Sequence, residues 1–473
     1  MAELRKIITE VLREIKPTNE ERKRLEALSL KVLEVAKGEA GLYKATSILA
    51  GSLTRDTWLP SKKEFDLFVV FPEKMGEDEL EKNGLEVGKR IIEKLGGKWK
   101  VDYAQHPYIT GTLGDIDIDI VPCYKVESGK KIKSAVDRTP FHVEYLNKRL
   151  PIELSDHVRL LKHFLKANGI YGADSKTGGF SGYICELLVI NYGTFEDFLK
   201  NVSRWDAGEI IDIEGQWPKK DYEKLRKKFE NQVLILIDPV DKNRNAAAAV
   251  SANSLFKLKK IATNLLDNPG KTHFEKKEMA PLTQKEVKKI MEERGTELLV
   301  VNFKPPKVVS DILWPQLKRF TKRLENIMNE YEFYVLRSDF WSNEIDMATV
   351  ILELEVGKVS KVNKKVGPSV FDKKGSESFI KKYKGACVNG PFIEEDFWCA
   401  EVNRKWDLAT DKLTDSLEDE VTILKAKGVP NYIAEELKGG FEILKGESIA
   451  GLMKYSSDFA VFLRGYFEKE DLS

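Results

Sequence analysis

The spacing of hydrophobic residues predicts a small α/β region at the start of the chain. Two stretches with helical periodicity lie on either side of Pro17, and Thr18 begins a capping-box pattern before the second. Strands are expected at residues 43–49, 64–71, 98–104 and 114–121, with a helix at 78–95. Helices that precede and separate strands are typical of an α/β domain, whose end we place at residue 150.

The rest of the chain divides into a helical region and a mixed region. Residues 154–266 show helical periodicity, as in SDHVRLLKHFLKANG, SGYICELLVINYG and NAAAAVSANSLFKLKKIATNLL. The pattern then predicts a helix at 284–293, the strand TELLVVNF, a helix at 315–330 and the strands YEFYVLRS and DMATVILELEV. This order suits a sheet with helices on one side, and the strand FWCAEVNR and a helix at 456–467 follow. The sequence therefore predicts an α+β multidomain protein with domains at 1–150, 151–268 and 269–473.

Charge and composition narrow the picture only a little. The 473 residues carry 77 basic and 76 acidic side chains, and this net charge of +1 favours no particular partner. The chain has no run of 18 apolar residues, and its first helix lacks the apolar core of a signal peptide. Its four cysteines form no C-x-x-C pair and fit reduced thiols. We therefore expect a cytoplasmic protein with no membrane partner.

Carboxylates lie at the start of a strongly apolar strand. Glu64 and Asp66 are two residues apart, so both side chains point to one face of the strand that continues as Leu-Phe-Val-Val-Phe. Asp115, Asp117 and Asp119 alternate with isoleucine in a later strand. Uncompensated charge beside a buried strand is costly, so we expect the two strands to be neighbours whose carboxylates hold Mg²⁺. Two ions held in this way can support an in-line displacement at phosphorus.

These carboxylates do not all need a functional explanation. An alternating acidic strand is often a solvated edge that discourages aggregation, and we favour that role for Asp115 and Asp117. Glu64, Asp66 and Asp119 remain the candidate metal ligands, because two of them adjoin a fully apolar strand and the third leads into Ile-Val-Pro-Cys.

A Gly-Ser step precedes these carboxylates and suggests a phosphate contact. Gly51 and Ser52 follow the first predicted strand, where exposed backbone N–H groups and a hydroxyl can hold phosphate oxygens. The chain contains no G-x-x-x-x-G-K-[ST], H-E-x-x-H or G-x-G-x-x-G motif. ATP hydrolysis by a P-loop, zinc proteolysis and dinucleotide binding therefore lose support.

The order Gly51-Ser52, Glu64-Phe65-Asp66 and Asp119 resembles the pattern of the polymerase-β-like nucleotidyltransferases. More closely, the chain resembles the archaeal-type, class I CCA-adding enzymes, which are tRNA nucleotidyltransferases. The segments that carry this resemblance are GSLTRDTWLPSKKEFDLFVVF, AQHPYITG, DIDIVPCY, IKSAVDRTPFH, LLKHFLKANGIYGAD, GGFSGYICELLVINYG and DPVDKNRNAAAAVS. They cover residues 50–255, and beyond residue 270 the similarity lies in overall layout and in phrases such as ERGTELLVVNF.

The resemblance implies a polymerase-β-like nucleotidyltransferase domain, a helical central domain that recognises the nucleotide and base, and a C-terminal α+β region that binds tRNA. It implies that Glu64, Asp66 and Asp119 form a two-metal Mg²⁺ site, with Asp119 also helping to activate the primer 3′ hydroxyl. The nucleotide-binding residues that it implies are Gly51, Ser52 and Arg55 at the triphosphate, Lys162 and Tyr171 toward triphosphate and sugar, Thr139, His142 and Asn245 in the pocket, and Arg244 at the base. Gln105 in AQHPY stands where related sequences carry Glu, a difference that leaves the metal site untouched.

Without the resemblance, some of these residues admit a structural role. Arg159, Lys162 and Lys166 form one stripe of a predicted helix, and ligand binding or exposure to solvent explains such a stripe equally well. His142 stands beside aromatic residues, where a histidine is more often a packing residue than a ligand contact.

Arg244 is expected beside the N-terminus of the alanine-rich helix, where the helix dipole disfavours a cation. Either a bound anion or base, or a salt bridge to Asp238 or Asp241, accounts for it. Farther on, KRFTKRLENIMNEYEFYVLR and SFIKKYKGAC interleave basic and aromatic residues, which suits contact with RNA.

The predicted function is template-independent addition and repair of the 3′-terminal CCA of tRNA from CTP and ATP, with release of pyrophosphate. A poly(A) polymerase or an oligoadenylate synthetase is the alternative within the same superfamily. An RNA-binding protein with an inactive nucleotidyltransferase fold is the alternative that is not an enzyme. The sequence leaves a homodimer open.

Overall fold

The computed structural model describes residues 2–61, 63–103 and 106–469, and the chain divides into two units after Lys277. Gln105 lies outside the described residues. The first half of the first unit contains the helices α1 (Ala2–Ile15), α2 (Asn19–Gly41), α3 (Glu77–Lys94) and α4 (Thr139–Arg149), and the strands β1 (Thr46–Ala50), β2 (Glu64–Pro72), β3 (Lys98–Tyr103), β4 (Pro107–Leu113) and β5 (Ile116–Lys125). The capping box at Thr18 is present at the start of α2.

The five strands form one mixed sheet in the order β1-β2-β5-β4-β3. β2 and β5 run parallel to each other, and every other neighbouring pair is antiparallel. The predicted pairing of the two acidic strands is therefore confirmed. The hydrophobic pattern did not predict β4. This strand begins within the segment AQHPYITG, which contributed to the family resemblance but was not predicted to be a strand.

β2 is buried on both faces along most of its length. Phe65, Leu67, Val69 and Phe71 share one face with the core formed by α2 and α3. On the opposite face, Phe68 and Val70 pack with Cys123 of β5 and Val143 of α4. Glu64 and Asp66 lie on this second face, but before the part that α4 covers, and they border an open cavity.

The central part of the chain is mixed rather than purely helical. It contains α5 (Ser155–Ala167), α6 (Gly182–Tyr192), α7 (Phe195–Val202), α8 (Tyr222–Lys228) and α9 (Ala252–Asp267), with a small sheet of β6 (Glu209–Ile211), β7 (Leu234–Asp238) and β8 (Asp241–Asn245). The sequence predicted a mostly helical region and missed this sheet, although β7 is a fully buried apolar run whose pattern is equally typical of a strand. The division at residues 150 and 268 stays a prediction, and α1 shares its buried core with the central helices.

The alanine-rich segment begins with a turn and becomes helical only at Ala252. Residues 246–249 form turns, and Ser251 accepts a hydrogen bond from the backbone of Ser254 as the N-cap of α9. Arg244 therefore lies in β8 and not beside the N-terminus of a helix. The expectation of a cation misplaced in a helix dipole was wrong.

The second unit confirms the predicted order of helices and strands. Its helices are α10 (Gln284–Arg294), α11 (Ser310–Glu330), α12 (Lys373–Tyr383), α13 (Ala409–Leu417), α14 (Val421–Ala426), α15 (Asn431–Lys438), α16 (Ile449–Tyr455) and α17 (Ser457–Phe467). Its strands are β9 (Glu297–Phe303), β10 (Val335–Ser342), β11 (Ala348–Leu354), β12 (Val362–Ser369), β13 (Asn389–Glu394), β14 (Phe397–Asn403) and β15 (Phe441–Lys445).

The main sheet of the second unit, in the order β10-β11-β9-β15, has helices on both faces. Leu299 and Val301 of β9 pack in a core with α11, α13 and α15. Leu298 and Val300 pack in a second core with α10, α16 and α17. The expectation of helices on one side was wrong, because α10 and the last two helices of the chain pack on the face opposite to α11. A separate sheet, β12-β14-β13, carries α12.

Within the described part of the chain, no helix has both the length and the apolar character that crossing a bilayer requires.

Candidate active site

The candidate metal ligands converge on one face of the sheet. In the parallel register of β2 and β5, Glu64 lies opposite Asp117 and Asp66 lies opposite Asp119. Paired residues of adjacent parallel strands point to the same face, and the strands are separated by about 4.8 Å. The carboxylates of Glu64, Asp66 and Asp119 therefore lie side by side, as the sequence predicted.

Neighbouring side chains orient and polarise this cluster. The Thr110 hydroxyl donates a hydrogen bond of 2.9 Å to Oδ1 of Asp119. Burial and then the charge of Asp119 raise the pKa of Tyr108 to about 12. The Tyr108 hydroxyl thus keeps its proton at neutral pH.

The Gly-Ser step follows β1 and passes directly over Asp66. Gly51 has φ = +85°, which favours glycine, and a Cβ at this position would lie 3.0 Å from Oδ2 of Asp66. Ser52 begins a 3₁₀ helix that ends at Arg55, so its backbone N–H lies in a first turn. Glycine is required here by both the backbone conformation and the proximity of the carboxylate.

A cavity of about 850 Å³ opens in front of these groups. Its walls include all nine predicted nucleotide-binding residues: Gly51, Ser52, Arg55, Thr139, His142, Lys162, Tyr171, Arg244 and Asn245. Glu64 and Asp66 also line it, while Asp119 is their neighbour on the sheet. The structure therefore brings the whole predicted set to one place, within a volume suited to a nucleotide.

One wall of the cavity is organised by a buried carboxylate that the sequence did not single out. Glu186 of α6 accepts hydrogen bonds from Nε and Nη2 of Arg55, at 3.2 and 3.0 Å, and from the Thr57 hydroxyl at 2.7 Å. Nζ of Lys162 donates to the carbonyl and hydroxyl oxygens of Thr57 at 3.1 Å and lies 3.9 Å from Glu186. Arg55 and Lys162 thus converge on one buried carboxylate beside the Gly-Ser step.

Lys162 belongs to the basic stripe of α5, of which Arg159 and Lys162 are buried and Lys166 is exposed. Arg159 is fully buried and donates a 3.0 Å hydrogen bond to the carbonyl of Trp58. Lys166 donates to the Ser61 hydroxyl at 3.0 Å. Burial lowers the pKa of Lys162, although the charge of Glu186 opposes this shift. The stripe therefore holds the segment that carries Gly51 and Ser52 against α5.

A second buried carboxylate, Asp238, organises the opposite wall. It accepts hydrogen bonds from Nε2 of His142 at 2.9 Å and from Nη1 of Arg244 at 2.6 Å. The Tyr183 hydroxyl donates to it at 3.2 Å, and the rings of Tyr183 and His142 lie 4.3 Å apart. Arg244 thus forms one of the two salt bridges that the sequence left open.

Asn245 lines the cavity and also stabilises the local fold through its side chain. Its Oδ1 accepts from the backbone N–H groups of Leu236 and Ala247, at 2.8 and 2.9 Å. Its Nδ2 donates to Gln232 and to the carbonyl of Leu234. With these four bonds the side chain connects β7, β8 and the following turn.

Tyr171 and Thr139 lie at other parts of the cavity wall. A Cβ on Gly182 would lie 3.2 Å from the Tyr171 hydroxyl, so glycine allows α6 to approach this ring closely. Burial raises the pKa of Tyr171, which keeps its hydroxyl protonated. Thr139 is the first residue of α4, three positions before His142.

Of the two carboxylates that hold this cavity together, sequence reasoning missed Glu186 and named Asp238 only as one possible salt-bridge partner of Arg244. Glu186 interrupts the apolar run ICELLVI, and Asp238 ends the apolar run LILID. A single acidic residue inside or at the end of such a run is the same signal that drew attention to Glu64 and Asp66. Applied throughout the chain, it would have found both residues.

One further group of side chains has the composition of a metal site. Glu77, Glu81 and His106 place their ligand atoms within 4.8 Å of one another. Glu77 begins α3 and His106 precedes β4, so the group lies near the end of β2, away from Glu64. A hydrogen bond of 3.3 Å between Nδ1 of His106 and Glu81 accounts for the contact.

Family comparisons match three consecutive parts of the chain. Residues 31–142 match the family model described as nucleotidyltransferase domain, residues 156–275 match tRNA nucleotidyltransferase, second domain, and residues 294–446 match CCA-adding enzyme, C-terminal domain.

Curated relatives extend the similarity over most of the chain. The CCA-adding enzyme of Archaeoglobus fulgidus is 35% identical over 402 residues, which cover 85% of this chain and 86% of the relative. The enzyme of Methanocaldococcus jannaschii is 38% identical over 80% of this chain and 84% of its own length. The enzyme of Methanopyrus kandleri is 34% identical over 99% of this chain and 98% of its own length. On these similarities, the chain belongs to the family of CCA-adding enzymes, the tRNA nucleotidyltransferases that carry out CCA addition.

Proposed function

We propose that this chain adds C, C and A in turn to the 3′ end of tRNA, using CTP and ATP and releasing pyrophosphate. The observation that carries the proposal is the convergence of Glu64, Asp66 and Asp119 on one sheet face, at the mouth of a cavity with cationic walls. Carboxylates and cations placed in this way suit a triphosphate whose α-phosphorus meets the primer hydroxyl at the sheet.

The donor set fits Mg²⁺. Glu64, Asp66 and Asp119 offer oxygen ligands, which Mg²⁺ prefers, and the missing Cβ of Gly51 leaves room beside Oδ2 of Asp66. When bound there, Mg²⁺ would neutralise charge on the phosphates and stabilise the attacking and leaving oxygens. These three residues would hold it.

The remaining groups have separate tasks in this proposal. Gly51 and Ser52 bind phosphate oxygens through backbone N–H groups and the hydroxyl, and the positive pair of Arg55 and Lys162 attracts the triphosphate. Asp119, fixed by Thr110, receives the proton of the primer 3′ hydroxyl.

On the opposite wall, Arg244 donates to the base. Thr139, His142 and Tyr171 enclose the nucleotide, and an aromatic ring such as that of Tyr171 can stack on the sugar or base. Asn245 supports this wall by fixing the turn that follows β8.

The second unit would contact the tRNA body. Between residues 358 and 384 the sequence has nine lysines and two acidic residues. This segment includes Phe371, which is 82% exposed, and the ammonium of Lys382, 5.0 Å from the ring of Tyr383. Basic and aromatic groups together suit phosphates and unpaired bases. A cytoplasmic location and a homodimer remain part of the proposal.

Product length tests the proposal directly. tRNA transcripts that end at position 73, 74 or 75 are incubated with labelled CTP or ATP and Mg²⁺. We expect CTP to extend the first by two residues and the second by one, and ATP to extend the third by one. A long tail of A would favour a poly(A) polymerase, 2′-5′ linkages would favour an oligoadenylate synthetase, and no incorporation would favour the non-catalytic RNA-binding alternative.

A further inference from the structure

Asp238 is the acceptor shared by three side chains of the cavity wall. It ends β7 and has no exposed surface. Its Oδ2 accepts from His142 and Arg244, and its Oδ1 accepts from the Tyr183 hydroxyl and from the backbone N–H of Val240. The three side-chain donors come from α4, α6 and β8, so one carboxylate joins three elements around the nucleotide cavity.

A buried carboxylate in such a position constrains its donors strongly. Losing a partner would leave a charge in a low-dielectric surrounding, so each donor is held where its hydrogen bond is good. Burial raises the pKa of Asp238, but the hydrogen bond from His142 and the charges of His142 and Arg244 outweigh burial and lower it. The carboxylate is therefore ionised at neutral pH and holds its partners by charge.

The same network fixes the tyrosine and the backbone. Burial and then the charge of Asp238 raise the pKa of Tyr183, so its hydroxyl remains a donor. Nε2 of Gln216 donates to the carbonyls of Asp238 and Pro239, at 2.9 and 3.3 Å, which fixes the turn between β7 and β8. Asp238 is thus an anchored point and not a mobile counter-ion.

Arg244 is the group whose orientation matters most for the base. Its guanidinium carries five N–H donors, and Asp238 takes one nitrogen, Nη1. The Arg244 side chain is 36% exposed and lines the cavity, so its remaining N–H donors are accessible from the cavity. Asp238 thereby sets the direction in which these donors point.

The chemistry of the four bases makes that direction decisive. On their pairing edges, C and A present a ring-nitrogen acceptor beside an exocyclic amino group. U and G present a carbonyl oxygen beside a ring N–H. A guanidinium held in one direction can donate to the ring nitrogen and meets an N–H in the wrong bases, whereas one that swings can reach their carbonyl oxygens instead.

We infer that Asp238 is a positioning residue for base selection, which acts through Arg244 and secondarily through His142 and Tyr183. This inference rests on the proposed function, because base selection has meaning only if CTP and ATP are the substrates. Asp238 does not touch the nucleotide itself, and its contribution is the fixed orientation of the donors that do.

The test compares nucleotides on one primer. Asp238→Asn keeps the size of the side chain and removes its charge. On the transcript that ends at position 73, we expect the ratio of kcat/KM for CTP over UTP to fall by about tenfold. The kcat for CTP should change less than this ratio. An unchanged ratio would overturn the inference.

A double-mutant cycle separates positioning from a general structural role. Arg244→Ala alone should lower selectivity, and adding Asp238→Asn to it should lower selectivity much less than Asp238→Asn does alone, because the main group that Asp238 positions is already absent. Independent losses that multiply would overturn the inference. The matched control is Glu353→Gln, which changes a fully buried carboxylate of the second unit and should leave the CTP/UTP ratio unchanged.

Two outcomes keep this test distinct from that of the proposed function. If the unaltered protein adds neither C nor A, the proposed function itself fails. If the unaltered protein is selective and Asp238→Asn equally so, only the role of Asp238 fails. Should Asp238→Asn prevent folding, Tyr183→Phe removes a single donor to Asp238; a several-fold loss of selectivity would support the inference, and full selectivity would overturn it.

Discussion

Two buried carboxylates, one in each unit, contact similar kinds of side chain, namely basic residues and hydroxyl groups. Glu186 is bonded to Arg55 and Thr57 and has Lys162 nearby. Glu353 accepts hydrogen bonds from two arginines, a threonine and a tyrosine: Arg294, Arg337, Thr296 and Tyr466.

The difference lies in where the cations of each network face. Arg55 and Lys162 are largely buried in the wall of the nucleotide cavity, which Glu186 also lines. Arg337 instead lies 4.5 Å from the centre of the Tyr466 ring and donates a 3.0 Å hydrogen bond to the Tyr466 carbonyl, so these contacts tie it to the last helix of its own unit. A buried charge network is therefore not a sign of a binding site by itself. The site is indicated where the network lines an open cavity together with Glu64 and Asp66, as the Glu186 network does.

Of the substitutions considered, Asp66→Asn in the nucleotide cavity should show the largest loss of activity without a loss of stability. It removes a candidate metal ligand from a surface that is built for a ligand, so we expect incorporation of CTP to fall by on the order of 10³-fold or more. The unfolding temperature should stay the same or rise, because like charges converge at this site. Single-turnover incorporation and thermal unfolding measure the two effects. Full activity would remove the metal proposal.

Glu353→Ala should instead lower the stability of the second unit. It leaves the charges of Arg294 and Arg337 without their buried partner, so we expect a loss of about 3–5 kcal/mol in the free energy of unfolding of the second unit. Denaturant unfolding measures this loss. Glu355→Ala, an exposed carboxylate just beyond the same strand, is the matched control and should change stability by less than about 0.5 kcal/mol. Equal effects of the two substitutions would contradict the account given for Glu353.

The ionisation of Glu353 predicts a smaller effect that depends on pH. Burial raises the pKa of Glu353, but hydrogen bonds from Arg294 and Thr296 outweigh it, so the folded-state pKa lies below the ordinary 4.5. Such a carboxylate stabilises the fold above its unfolded pKa, and the contribution is lost as pH falls through the folded pKa. The stability difference between the unaltered protein and Glu353→Gln should therefore shrink below pH 4.5, by at most about 1.4 kcal/mol per pH unit. A difference that is constant from neutral to acid pH would exclude this linkage.

The contrast between regions also explains what the sequence could predict. The alternation in EFDLFVVF and DIDIDI is local, so the shared face of Glu64 and Asp66 was predictable. The parallel register that places Asp119 opposite Asp66 depends on β4, which the hydrophobic pattern did not predict. The helix start predicted just after Arg244 was wrong for a non-local reason, since the helix begins only at Ala252. The alanines favour helix, but the Asn245 side chain binds the backbone of both Leu236 and Ala247 and thereby shapes a turn.

The roles of Glu186 and Asp238 depend on contacts that no sequence window contains. Glu186 meets Arg55 from 131 residues away, and Asp238 meets His142 from 96 residues away. An acidic residue beside an apolar run signals that a partner exists but does not identify it. For the same reason, the basic stripe of α5 could not be assigned to solvent or to structure until the segment that it holds was located.

Gly51→Ala should reduce activity more than stability. Gly51 has φ = +85° and ψ = −179°, a backbone region nearly restricted to glycine, so an alanine there costs about 1–3 kcal/mol, and its Cβ would lie 3.0 Å from Oδ2 of Asp66. Gly96 has φ = +75° and nothing within 4 Å of its Cβ position, so Gly96→Ala also places an alanine at positive φ but without the carboxylate. We expect both variants to lose stability and only Gly51→Ala to lose about tenfold or more in incorporation. Equal activity in the two variants would show that the proximity to Asp66 is immaterial.

The smallest effect is expected from Asp117→Asn, a substitution that tests whether Asp117 belongs to the metal site. Asp117 lies opposite Glu64 in the sheet and shares a face with Asp119, so position alone would include it among the metal ligands. It is exposed, however, and it accepts a 3.0 Å hydrogen bond from the Thr112 hydroxyl, an interaction that an asparagine oxygen can also accept. We expect a change below about 0.5 kcal/mol in stability and less than about threefold in CTP incorporation, measured beside Asp119→Asn on the same primer. If Asp117→Asn were as inactive as Asp119→Asn, the metal site would extend one pair farther along β2 and β5, and the solvated role favoured for Asp117 would be wrong.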